Sequence, residues 1–362
     1  MRSMTPSSSN ALPALDGIRG LAVLVVLLSH LANAGLPVLP GFSLSGIGKS
    51  GVYLFFVLSA YLLTRLLLAL DPADWRQGDT WANYAVRRTL RIWPLYLVVL
   101  LVSAGLTATG IAPWWPYPMD AASLVRHLLL LEGTSVLWSI PVEFHYYLWL
   151  PFVAAALAGA HRLGGVWAAS GLVVLGSVAA LLLWPPAESR VNDVRLGPYL
   201  VMFFVGGWAA LVSRDWAARP PPPALSAGLG VAAVLALLLS VPSVAAATGA
   251  VAFQADLNHR WFAFFAVAWS ALLLAVVHGP TWLRRPFQWR PLRWLGWVSF
   301  SVYLWHMPVL DAVIGPVGLS GVAALAVFVL ATSAVSWASW RLFERPLQRV
   351  RWRPVRRARV ES

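Results

Sequence analysis

Residues 12–34, LPALDGIRGLAVLVVLLSHLANA, decide how this chain is read. An apolar run opens behind Asp16 and Arg19 and carries His30, beside Ser29, among leucines and valines. Two readings compete. One is a secretory signal peptide cleaved after the small-x-small triplet Ala32-Asn33-Ala34, and the other a membrane helix that keeps its histidine.

The rest of the chain separates them. With 59% hydrophobic residues, 11% charged residues and a mean hydropathy of +0.70, the 362-residue sequence is far more apolar than a soluble protein of this length. Apolar stretches of about 17 to 25 residues recur ten times, near 18–36, 50–70, 90–112, 137–158, 165–184, 197–213, 224–241, 261–278, 295–314 and 320–341. The expected fold is all-α, a polytopic transmembrane bundle of about ten helices. Nine later segments need an inserted first one, so the signal-peptide reading is set aside.

The formal charge of +13 is topological. Alternating the ten segments across a bilayer puts 22 of the 27 Lys and Arg residues on the side of the N-terminus, leaving Lys49, Arg126, Arg190, Arg195 and Arg260 opposite. The positive-inside rule then places both termini in the cytoplasm. Residues 1–345 are expected to form one transmembrane domain, and 346–362 a basic cytoplasmic tail resting on anionic lipid rather than on nucleic acid. The absence of cysteine excludes disulfides, thiolate metal sites and cysteine nucleophiles.

Charged groups at membrane depth cost on the order of 3 kcal/mol each, so those present face the bundle interior or a wet cavity. Arg19 and His30 are eleven residues apart, which at 100° per residue leaves them about 20° apart on one helix face and roughly 16 Å apart along the axis. With Arg19 at the cytoplasmic boundary, His30 is expected near the midplane, where a neutral imidazole can serve as a base. An interhelical hydrogen bond that merely satisfies a buried histidine is the competing reading. Arg88 and Arg91, at i and i+3 and supported by Arg87, share a face at the start of the third helix and can fork onto phosphate, although positive-inside anchoring also asks for arginine there. Glu143 is the only carboxylate of its helix, either paired for structure or positioning a hydroxyl. His127, His161, His259 and His278 fall near helix ends without metal-ligand grouping and are expected to be solvated, so no metal is expected.

Six motifs occur in a fixed order: LDGIRG followed by His30; GVYLFFVLSAYLLTRLLL (51–68); RRTLRIWPLYL (87–97); WSIPVEFHYYLWLP (138–151); SFSVYLWHMP (299–308); and FERPLQR (343–349). Together they resemble the membrane acyltransferase-3 family, bacterial integral-membrane enzymes that O-acylate sugars, polysaccharides and macrolides. The resemblance implies an acyl-CoA donor, with acetyl the expected group, and a sugar-containing acceptor. It also implies a multi-pass location in a bacterial inner membrane, among membrane lipids. It matches the family's catalytic pair to Arg19 and His30, with Asp16 and Glu143 beside them, and its donor arginines to Arg88 and Arg91, with Arg87. Trp138, Ser139, Tyr147, Tyr303 and His306 are then expected on the substrate side. The sequence departs from the family pattern at Ser59-Ala60-Tyr61 and at Phe144-His145, changes that bear on pocket shape and acceptor choice. A transporter of a lipid-linked sugar or acylated product also needs a bundle with buried charges, but it predicts internal repeats that are not evident here.

Overall fold

The computed structural model describes residues 13–36, 38–39, 42–249, 254 and 258–350; residues 351–362 of the expected basic tail lie outside them. Helices account for every long element: α1 Pro13–Asn33, α2 Gly48–Leu68, α3 Gly78–Thr109, α4 Ala121–Leu128, α5 Ser139–Leu183, α6 Leu200–Ala218, α7 Pro223–Leu239, α8 Pro242–Ala247, α9 Phe262–His278, α10 Thr281–Arg284, α11 Arg290–Trp297, α12 Ser299–Ile314 and α13 Gly321–Ser339. Among the described residues the only β contact is an isolated bridge between Leu39 and Phe42.

Six of these stretches are long and apolar enough to cross a membrane. One of them, α5, is two spans end to end. Gly164 leaves helical geometry and Gly165 takes φ +64°, a left-handed conformation that glycine adopts without a Cβ penalty. With its two halves counted separately, and with α7, α9 and α12, the ten expected apolar segments are all helical.

Two boundaries differ from expectation. Helix α3 starts at Gly78, not near residue 90, because the polar lead Asp79–Arg88 contains no helix breaker. Arg87, Arg88 and Arg91 therefore sit two to four turns inside a continuous helix instead of at its mouth. The ninth span begins at Ser299: residues 290–297 form the separate helix α11, bent 82° away from α12.

That bend holds α1 in place. A methyl group on Gly296 would come within 1.9 Å of the Asp16 carbonyl oxygen, and one on Gly20 within 2.0 Å of that of Leu292. Only backbones stripped of side chains pack this closely, the usual route to tight helix contacts where no hydrophobic force acts between helices. Gly51 likewise admits the Ala22 carbonyl, joining α2 to α1. A buried aromatic core of Tyr53, Phe56, Tyr199, Phe203, Phe262 and Phe265 then binds α2 to α6 and α9. Beyond α13 one π turn, Trp340–Glu344, swings the buried Glu344 toward Ser301, whose hydroxyl donates to it. Glu344 also interacts electrostatically with Arg91 and Arg19, so the described chain's two ends meet at the same end of the bundle.

Candidate active site

Two cavities lie one beyond the other inside the bundle. The first, about 260 Å³, is at the Arg19 end, walled by α1, α2, α3, α5 and α12. Arg19, Arg88 and Arg91 line it, with Ser59, Ser139, Glu143 and Tyr303. Glu143 accepts hydrogen bonds on one carboxylate oxygen from both the Ser59 and the Tyr147 hydroxyls, which stand 3.2 Å apart. Tyr84 donates to the Tyr147 carbonyl at 2.8 Å and so ties α3 to α5. The Arg88 guanidinium lies 5.8 Å from the centre of the Tyr147 ring, within reach of a cation–π contact.

The three guanidiniums are the unusual feature. Among the described residues none of them makes a hydrogen bond, and no carboxylate comes within 4.0 Å of any of them. Yet Asp16, Glu143 and Glu344 all act on them through space. The carboxylates balance the charge while leaving the donors unspent, and forked donors facing a cavity suit a phosphate or another anion.

The second cavity, about 250 Å³, opens beyond Tyr303 and Val52, which line both. Its wall carries Ser29, His30, Asn33, Lys49, Ser135, Trp138, Asn192 and His259. His30 sits in the last turn of α1, closer to that helix's far end than to its middle. Its ring is 5.2 Å from that of His306. Among the described residues neither ring nitrogen of His30 is hydrogen-bonded, and neither is sealed away from the cavity. Among the described residues, none supplies the interhelical hydrogen bond of a satisfied core histidine. His306 is fully buried; its Nδ1 lies 2.8 Å from the Tyr303 carbonyl oxygen, which fixes the proton there and leaves Nε2 as an unpartnered acceptor. Tyr303 donates to the Val136 carbonyl at 2.5 Å and accepts from Ser139 at 2.9 Å, and so stands as the partition between the two chambers.

Most of the residues singled out from sequence thus converge. Arg19, Arg88, Arg91, Ser139, Glu143 and Tyr303 meet in the first cavity with Tyr147 behind them, and His30, Trp138 and Tyr303 in the second with His306 behind. Asp16 and Arg87 line neither; Asp16 accepts instead from the Trp297 indole at 3.0 Å, across the α1–α11 contact. Sequence reasoning passed over Asn33, Asn192 and Lys49 as site residues, and took Ser59 only as part of a departure bearing on pocket shape. Lys49 carried a signal: it is the single lysine among 26 arginines. The solvated histidines need correction. His127 is fully buried, its Nδ1 2.8 Å from the Ser123 carbonyl oxygen and its Nε2 accepting from the Thr134 amide, and burial holds its imidazole below the ordinary range. His161 meets Asp215 at 2.7 Å, His278 meets Ser213 at 2.7 Å, and His259 is buried on the second cavity wall.

Outside the spans, the loop between α5 and α6 presents Asn192 to Lys49 at 2.5 Å. Arg195 clamps this loop by donating to both Asp193 oxygens, at 2.6 Å for the shortest contact. Burial alone would raise the Asp193 carboxyl, but the hydrogen bonds from Arg195 outweigh it and hold the group below the usual carboxylate range.

Comparison with known proteins fits this arrangement. The acyltransferase domain family, acyltransferase-3, matches residues 12–341. The chain is 26% identical to the peptidoglycan O-acetyltransferase OatA of Listeria monocytogenes, over 96% of this chain and 58% of that protein. It is 28% identical to the putative peptidoglycan O-acetyltransferase YrhL of Bacillus subtilis, over 93% of this chain and 55% of that protein. A putative O-acetyltransferase of Staphylococcus aureus is 23% identical, over 95% and 59%. The chain therefore spans somewhat more than half the length of these relatives. No solved structure matches it. With the family match running through every element that builds the two cavities, this multi-pass helical chain belongs to the membrane acyltransferase-3 family.

Proposed function

We propose that this protein is an O-acyltransferase that moves a short acyl group, acetyl in the first instance, from acyl-CoA to a hydroxyl of a sugar-containing acceptor. The acceptor class spans envelope glycans, exopolysaccharides and glycosylated natural products. The observation that carries the reading is the trio of unspent guanidiniums in one chamber, with an unspent histidine in the next. Arg88 and Arg91 hold the nucleotide phosphates of the donor at the cytoplasmic end of the bundle, with Arg19 beside them on the same wall. The pantetheine arm threads past Tyr303 and Val52 and delivers the thioester toward His30. The acceptor approaches from the opposite chamber. His30 takes the proton of the acceptor hydroxyl as its oxygen attacks the thioester carbon; the carbon–sulfur bond breaks, and the leaving thiolate recovers that proton from the imidazolium. His306 backs His30, and Glu143, held by Ser59 and Tyr147, keeps the inner chamber polar.

The relatives named as O-acetyltransferases support the type of reaction, and the depth of His30 in the far chamber supports an acceptor on the outer side of a bacterial inner membrane. Two end-to-end chambers also favour a second reading, passage of a sugar-bearing substrate through the bundle. Purified protein in nanodiscs tests both. Release of CoA from acetyl-CoA that depends on an added glycoside, with the ester recovered, supports transfer. Glycoside flux into proteoliposomes without CoA release supports transport.

A further inference from the structure

We propose that the chamber holding His30 is built for an acceptor whose sugar carries an anionic group, carboxylate or phosphate, with Lys49 as its counter-ion. The proposal rests on the acyl-transfer reading and names the acceptor's charge. Among 26 arginines, the one lysine lies on this wall. Its ammonium donates to Asn192 at 2.5 Å and lies 4.0 Å above the Trp138 ring. Neither neighbour neutralises it. Among the described residues no carboxylate lies within ion-pairing distance of Lys49, and none lines the cavity. Lys49 is half-buried on this wall, and an ammonium partly withdrawn from water without a counter-ion carries a cost that an anionic ligand would offset.

The type of cation is informative. A residue needed only for topology would serve equally as arginine, the choice at every other basic position. A compact ammonium with rotatable donors suits a single anionic group in a small chamber better than a planar fork does. The adjoining Trp138 face and the Asn33, Asn192 and Ser135 polar groups give a sugar ring a surface to lie on and partners for its hydroxyls. Lys49 and His30 line the same chamber, so an anion seated on Lys49 brings the hydroxyls of the same sugar toward His30. The uncapped N-terminal end of α2, one residue from Lys49, adds a positive dipole to the same wall.

The test uses the full-length protein in nanodiscs with three probes: methyl glucuronoside, its methyl ester, and methyl glucoside 6-phosphate. The acid and its ester differ only in charge. With acetyl-CoA fixed, the expected kcat/KM for the acid, the phosphate or both exceeds that for the ester about tenfold, and whichever anion is favoured identifies the group. Lys49→Met brings the ratio of kcat/KM for the favoured anion over the ester down to about one, with acetyl-CoA binding, read in the other chamber, near wild type, and Lys49→Arg keeps part of the preference. Equal rates with all three probes in the wild type overturn the proposal, as does a preference that survives in Lys49→Met. The wild-type comparison needs no variant, so a misfolded substitution leaves the question answerable. Failure to bind acetyl-CoA or to acylate any probe would instead refute the acyl-transfer reading itself.

Discussion

Replacing His30 with glutamine separates chemistry from architecture, because the structure gives different magnitudes for each. The imidazole makes no hydrogen bond among the described residues, and its ring contact is with His306 at 5.2 Å. A contact of that kind is worth about 0.5–1.5 kcal/mol. Glutamine roughly preserves the volume, so the fold should lose no more than that. If His30 is the general base, the rate falls about 10²- to 10⁴-fold, which at about 1.4 kcal/mol per decade is roughly 3–5 kcal/mol of transition-state stabilisation. Acetyl-CoA binding should be unchanged, since the phosphate-facing arginines belong to the other chamber. The assay is CoA thiol release by monodisperse protein in nanodiscs with a glycoside acceptor, alongside thermal unfolding and calorimetric titration with acetyl-CoA. Turnover within about threefold of wild type in a folded His30→Gln sample would refute the catalytic assignment and move the transport reading ahead.

Arg88→Ala or Arg91→Ala should weaken acetyl-CoA binding by about 1.5–3 kcal/mol, the range for a hydrogen bond to a charged group, with partial recovery in Arg91→Lys. Arg87→Ala, outside the cavity wall, should change affinity less than twofold; calorimetry decides, and equal losses at all three positions would return them to topological anchors. Asp193→Asn should lower stability at pH 7 by about 1–3 kcal/mol through loss of the Arg195 clamp. The Asp193 carboxyl is held low in the fold, so its contribution is present above the unfolded value of about 3.9 and lost as pH falls through the depressed one; melting curves of wild type and variant should therefore converge at acid pH. Single cysteines placed in this cysteine-free chain at Gln77, Ala218 and Gln288 should label from the cytoplasm, and those at Pro118 and Arg190 from outside. Two reversed positions would sink the orientation of the donor chamber.

The spans were legible because each is a run of apolar residues interrupted by arginine, proline or glycine, and hydropathy reads such runs without knowledge of packing. Its errors have a common cause. Hydropathy marks where a helix is apolar, not where it is helical, so the polar first turns of α3 and the Trp-rich helix α11 were assigned to the wrong side of a boundary. Helix α3 continues through charge because nothing in Asp79–Arg88 breaks it. Helix α11 ends at Trp297 in spite of its apolar residues, and its Gly296 meets the backbone of α1.

For the site, periodicity did more than hydropathy. An eleven-residue interval put Arg19 and His30 on one face, and the structure sets each on the wall of one of two adjoining chambers. Spacing within a helix does not say which partners lie across from it. The carboxylates that act on the arginines through space come from α1, α5 and the π turn after α13. Lys49 belongs to the same class of omission. As one of five basic residues on the outer side it was absorbed into the charge count, and only its placement between Asn192, Trp138 and the His30 chamber separates it from an anchor. A cation counted for topology is located by sequence, but whether it still has charge to offer is decided by the residues that fold around it. Among the described residues, those that fold around Lys49 and the three arginines leave each without a carboxylate within ion-pairing distance, Lys49 on the wall of one chamber and the arginines on that of the other.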